Sequence, residues 1–208
     1  MKTSEIISKL KDNYYKINKN NEQCLVINKE WQSINNEKLK IIVVGDNPGE
    51  KEKEDCIYFH PEGTAGSKAR EFLARYYKDD EIIFINKCPF YSPTTNELMI
   101  NEQSKDAINM SLFYTVQAIK ELLINSKVKV LITGCTSNKL NRRFYRLLFK
   151  ELKDWKDRKN LFFSKHFSRN HFKSQLDIVA SKDINEILSE IKKVTSVILD
   201  KHYKSYMN

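Results

Sequence analysis

Four short apolar runs punctuate the chain: Lys40-Ile-Ile-Val-Val44, Glu81-Ile-Ile-Phe-Ile85, Val128-Lys-Val-Leu-Ile-Thr133 and Leu161-Phe-Phe-Ser164. Each is short and rich in β-branched or aromatic residues, the signature of a buried strand. Between and after them, apolar residues recur at helical spacing. Ser67 to Tyr77 puts Ala69, Phe72, Leu73 and Tyr76 on one face. Glu102 to Asn125 does so with Ile108, Leu112, Val116, Ile119 and Leu123, and Leu140 to Leu152 with Phe144, Leu147, Leu148 and Leu152. Asp183 to Tyr203 carries Ile184, Ile187, Leu188, Ile191, Val194 and Ile198. Strands alternating with helices predict an α/β fold: a three-layer α/β/α sandwich around a central four-stranded parallel sheet. No internal repeat or domain boundary is visible. The expected organisation is one domain, with residues 1–37 forming an N-terminal helix (weak stripe Ile6, Ile7, Leu10) and a loop, 38–180 the core, and 181–208 a C-terminal helix.

In open α/β sheets ligands bind beyond the carboxyl ends of the strands. The polar segments Gly45–Glu50, Asn86–Asn96, Gly134–Lys139 and Ser164–His171 are therefore expected to converge on one sheet edge. In Gly45-Asp46-Asn47-Pro48-Gly49-Glu50, Pro48 and Gly49 suit the centre of a tight turn, with Gly49 at positive φ; a plain strand-to-loop turn is the alternative. Asn86, at the end of the second run, can present one acceptor and two donors, a pattern that pairs with the N3–H and O4 of uracil, or it can simply cap the strand. His166 can donate an imidazole N–H to a developing oxyanion or be structural. Gly134-Cys135-Thr136-Ser137-Asn138-Lys139 can hold a phosphate at a helix N-terminus or supply an ordinary N-cap from Thr136 or Ser137.

Composition narrows the class without fixing it. Of 208 residues, 40% are hydrophobic and 30% charged, which fits a globular chain. Lys and Arg number 36 against 27 Asp and Glu, a net charge of +9 that permits a polyanionic partner; a generally lysine-rich composition gives the same balance. Cys24, Cys56, Cys88 and Cys135 include no CxxC pair, so no disulfide framework is expected. No apolar run is long enough to span a membrane, and Met1-Lys-Thr-Ser-Glu5 has no apolar stretch of signal-peptide type. A cytoplasmic monomer is the expectation.

Together and in this order, the strand-end segments resemble motifs of the uracil-DNA glycosylase superfamily, nearest to its single-strand-selective monofunctional and mismatch-specific branches. The family's G-x-N-P-G is matched by Gly45-Asp46-Asn47-Pro48-Gly49. Its N-x-C-P-L is matched by Asn86-Lys87-Cys88-Pro89-Phe90. Its H-P-S-P-R-N is matched, without either proline, by His166-Phe167-Ser168-Arg169-Asn170. Tyr58-Phe59-His60-Pro61-Glu62-Gly63-Thr64-Ala65-Gly66 is similar to the aromatic-and-glycine stretch of the iron–sulfur branch. The likeness spans residues 39 to 175.

The resemblance implies a monofunctional DNA glycosylase of base excision repair that flips a uracil-type base and hydrolyses its glycosidic bond. Its catalytic residues would be Asn47, orienting the attacking water, and His166, donating to the departing base, with Asp46 as an alternative base. An amide cannot deprotonate water; a single oxyanion donor contributes ~3 kcal/mol. Gly45, Pro48, Gly49, Phe59 and Asn86 would form the base pocket, Phe59 stacking on the flipped base for ~1–3 kcal/mol. Ser137, Lys139, Ser168, Arg169, Asn170 and His171 would contact DNA. Gly49, where some relatives place a bulky aromatic, implies room for a 5-substituent. The family's iron–sulfur branches use four cysteines, two of them paired near the N-terminus; only Cys24 lies there, so no metal and no cofactor are expected. Two other readings remain open: an inactive DNA-binding relative, and an α/β enzyme of free nucleosides or nucleotides.

Overall fold

The computed structural model describes residues 1–19, 23–100, 105–135, 138–168, 172 and 183–207. Four parallel strands form one sheet in the order β2-β1-β3-β4: β1 Ile41–Gly45, β2 Ile82–Asn86, β3 Lys129–Ile132 and β4 Leu161–Phe163. Almost every strand residue is buried, as continuous apolar runs require of a sheet covered on both faces.

The register shows the two faces directly. Val43, Phe84, Leu131 and Phe162 are aligned in one row, and Val44, Ile85, Ile132 and Phe163 in the next, so the two rows point to opposite faces. Phe84 lies against Phe59 and under Arg70 of α3 (Thr64–Leu73). Phe163 lies against Tyr145 and Phe149 of α6 (Lys139–Glu151). Helices thus cover both faces, giving the α/β/α sandwich. α5 (Lys105–Asn125) packs between α6 and the N-terminal α1 (Thr3–Asn18). α7 (Ile184–Met207) packs on β4 and α6, with Thr195 donating to the Phe163 carbonyl at 2.7 Å.

The first helix is tied into the core more firmly than its weak stripe predicts. Ile6, Ile7, Leu10 and Tyr14 are buried, and the Tyr14 hydroxyl meets that of Thr115 at 2.5 Å. The loop after it protects the edge of the sheet. Trp31 Nε1 and Asn28 Nδ2 both donate to the Phe84 carbonyl, at 2.9 and 3.1 Å, so that acceptor on edge strand β2 is satisfied within the chain. Two short helices lie outside the expected set: α2 (Glu50–Asp55) and α4 (Thr95–Leu98). α3 also starts earlier than expected, at Thr64. Its Gly66 makes this possible, because a Cβ there would run into the backbone of Phe59 and His60. No helix among the described residues is long and apolar enough to cross a membrane.

Candidate functional site

At the carboxyl edge of the sheet a cavity of about 480 Å³ is bordered by Asn47, Phe59, Asn86 and His166, residues that come from four separate segments of the chain. It adjoins a more polar groove of about 800 Å³, lined on the far side by Ser92, Thr94, Thr95 and Asn138. Asp46, Asn47, Gly49, Pro93, His166 and Ser168 border both. Volumes of this size suit a small organic ligand.

The strand tips set the floor. Gly45 pairs with Asn86 across β1 and β2, and a Cβ at Gly45 would fall within 2.7 Å of the Phe59 ring and closer still to Asn86 Oδ1. Only glycine lets those two side chains close over the strand end. Asn86 is 2% exposed; its Nδ2 has no acceptor at full hydrogen-bonding geometry, with the Glu52 carboxylate the nearby acceptor. Phe59 is 3% exposed, stacks on Phe84 with ring centroids 4.9 Å apart, and meets Phe167 edge-on at 6.3 Å. Its backbone is left-handed, φ 50°, a conformation uncommon for an aromatic residue. Hydrogen bonds hold it there: the Phe59 amide donates to Glu52, and Arg70 Nε donates to the Phe59 carbonyl at 2.8 Å.

The segment after β1 differs from the tight turn expected for it. Gly49 has φ −90° and ψ −175°, extended backbone open to any residue, and it N-caps α2. Its amide donates to Glu52 Oε2 at 2.7 Å, the half of a capping box that a glycine N-cap can make, and this replaces the turn's local hydrogen bond. Pro48 is buried and does not border either cavity. The Asn47 amide is oriented by its neighbours: Nδ2 donates to the carbonyls of Pro48 (3.2 Å) and Ser92 (3.3 Å), and Oδ1 accepts from Thr95 Oγ1 at 2.9 Å. A remaining lone pair on Oδ1 can take a water hydrogen.

Asp46 turns the other way. Its Oδ1 accepts from Lys87 Nζ at 2.6 Å, and Lys87 is fully buried. The same ammonium donates to the Thr133 carbonyl at 2.6 Å and to Asn141 Oδ1 at 2.5 Å, so three donors meet three acceptors. The rings of Phe144 and Tyr145 complete its surroundings, with centroids 5.4 and 5.3 Å away. This network joins the ends of β1, β2 and β3 to α6.

His166 is partly exposed and borders both cavities. Its Nδ1 accepts the Ser168 amide at 3.3 Å and lies 2.7 Å from Ser168 Oγ. A backbone N–H can only donate, so the neutral ring carries its proton on Nε2. Phe167 is buried between them, against Phe72 and Phe172.

Of the expected DNA contacts, Ser168 borders the cavities, and Lys139 is exposed at the start of α6. Ser137, Arg169, Asn170 and His171 lie outside the described residues. The N-cap of α6 is Asn138, not Thr136 or Ser137: its side chain accepts from the Asn141 amide at 2.7 Å. Cys24 and Cys56 are exposed, Cys88 and Cys135 buried. Among the described residues no cluster of three or more His, Cys, Asp and Glu is arranged to hold a metal ion.

Two of the residues that shape the site had no role in the motif reading, although one of them lies inside its second motif. One is Lys87. The other is Glu52, which borders the smaller cavity and whose carboxylate also interacts with Asn86 and His60. Burial pushes its carboxyl above the ordinary value, against the opposing pull of the Gly49 and Phe59 amides. The Gly49-to-Glu52 capping spacing was the available signal for Glu52; Lys87 offered none.

No protein-family model matches this chain, and no curated protein matches it either.

Proposed function

We propose that this protein is a monofunctional DNA glycosylase that hydrolyses the N-glycosidic bond of uracil or a 5-substituted uracil in DNA, acting in the cytoplasm as a monomer. The observation that supports it best is the shared cavity: Asn47, Phe59, Asn86 and His166 border one space of about 480 Å³. In this reading Phe59 keeps one ring face on Phe84 and offers the other to the flipped base. Asn86, whose buried amide borders the cavity beside Glu52, pairs through its Nδ2 with a pyrimidine oxygen, and a base that offers no acceptor there is disfavoured.

Asn47 orients water through Oδ1, both of its N–H groups being engaged elsewhere. Bond cleavage then leans on the leaving group. The His166 Nε2–H donates to the base O2 as negative charge builds, an effect of about 10²–10³ in rate for one donor. Asp46 serves as a positioning residue, since its Oδ1 is held by Lys87. Extruding the base costs a few kcal/mol, least for a mismatched or single-stranded target.

The test is a strand-cleavage assay after alkali, with oligonucleotides carrying uracil, 5-hydroxymethyluracil, hypoxanthine or xanthine. Cleavage at the uracil-type bases, reduced at least about a hundredfold in Asn47→Ala and His166→Ala, is the expected result. Specific binding of the damaged strand with no cleavage would instead indicate an inactive relative. Turnover of free nucleosides that duplex DNA does not inhibit would replace the reading altogether.

A further inference from the structure

The exposed face of α6 carries Lys139, Arg142, Arg146 and Lys150, three or four residues apart. That spacing places them in one row along the helix. The opposite face, with Leu140, Phe144, Tyr145 and Leu148, is buried in the core. No acidic residue shares the row. The helix's single carboxylate, Glu151, pairs with Lys120 at 2.9 Å; contacts with Lys120 and Gln117, and more weakly the charge of Lys150, favour its ionised form against the opposing effect of burial.

This arrangement works against the helix itself. Like charges four residues apart repel, and cations in the first turn oppose the positive end of the helix dipole. A bound polyanion reverses the sign of both effects. The row also starts at the site: Asn138, which caps α6, borders the groove beside Asn47 and His166.

We propose that this face of α6 is a track for the phosphodiester backbone of nucleic acid, leading the strand away from the cavity. From Lys139 to Lys150 the helix rises roughly 17 Å, the length of about five phosphates along one strand of a duplex. Other anionic partners fit less well. None of the large exposed apolar side chains lies between residues 139 and 151, so the row lacks the apolar anchors of a protein interface. The apolar face of α6 is packed in the core, so the helix has none to insert into a membrane. Arg143 sits beside the row, its Nη1 donating to Asn109 Oδ1 at 3.2 Å.

The proposal requires no chemistry in the cavity, so it is tested on undamaged DNA. The full chain and its Arg142→Gln, Arg146→Gln, Lys150→Gln triple variant are titrated, over a series of salt concentrations, against a uracil-free 20-nucleotide single strand and its duplex, followed by fluorescence anisotropy. The expected result is a slope of log affinity against log salt shallower by about 2 for the single strand and about 2.7 for the duplex, read at a temperature where both proteins are folded. An unchanged slope would overturn the track. So would equal weakening of poly-glutamate or of phosphatidylserine vesicles, which marks an indiscriminate cationic surface. If cleavage of uracil DNA fails while the slope changes as expected, the glycosylase reading falls and the track stands.

Discussion

Lys87 and Asp46 form an ion pair at 2.6 Å in which the lysine has no solvent exposure at all. Such a charge is stable only while every donor is met, and removing one partner of a buried pair costs about 3–5 kcal/mol. Lys87→Met is expected to lower the melting temperature by roughly 6–20 °C, at 2–4 °C per kcal/mol for a domain of this size. Adding Asp46→Asn removes the stranded carboxylate, and the double variant should recover part of the loss. A single variant melting with the wild type would show that the pair does not hold the strand ends together.

Gly49 has open space where a side chain would stand: the nearest atom to an added Cβ is Glu52 Oε2, at 3.8 Å. Its extended backbone suits any residue. Gly49→Tyr is therefore expected to fold, losing no more than about 1 kcal/mol at the cap of α2, while its ring fills the side of the cavity. Under the glycosylase reading it should retain uracil cleavage and lose activity on 5-hydroxymethyluracil. Parallel loss on both bases would remove Gly49 from specificity.

Glu52 supplies a pH signature. Its carboxyl is raised in the folded chain from an ordinary value of 4.5, mainly by burial. Folding therefore favours its protonated form. The stability it contributes is complete below about pH 4.5 and is lost as pH rises through the higher folded value. Glu52→Gln has no such titration. The melting-temperature difference, wild type minus variant, should fall as pH rises above 4.5 and level off once the carboxyl is ionised in the folded chain as well. A flat difference would mean that Glu52 is ionised at its ordinary value.

Burial separates the four thiols into two pairs. Cys88 and Cys135 are buried, and desolvation pushes both up to about 11; Cys24 and Cys56 are exposed. A thiol reagent at mildly alkaline pH is expected to titrate two cysteines quickly and the other two only after denaturation, since the thiolate is the reacting form. Four fast equivalents would contradict the burial of Cys88 and Cys135.

The strands were legible in the sequence because each is a compact apolar run, and β1 and β2 end one residue later than expected because Gly45 and Asn86 pair with each other as the last rungs. Those polar ends mark the floor of the cavity, which is why the motif reading reached Asn47, Asn86 and His166. α2 was hidden: Glu50-Lys-Glu-Lys-Glu-Asp55 has no buried residue and hence no hydrophobic period. Lys87 was hidden for another reason. Its acceptors lie 41, 46 and 54 positions away, so one lysine among many shows nothing of its burial until the strands and α6 are assembled.

Phe59 is held at both ends of its peptide unit, by Glu52 through its amide and by Arg70 through its carbonyl, in a left-handed conformation that its side chain disfavours. An aromatic plate fixed in this way has little motion left to lose when a planar ligand arrives. The cost of ordering it is met during folding, so more of the contact energy remains for affinity. The cavity's geometry is thereby set in advance of any encounter, and shape alone can discriminate among ligands on first contact.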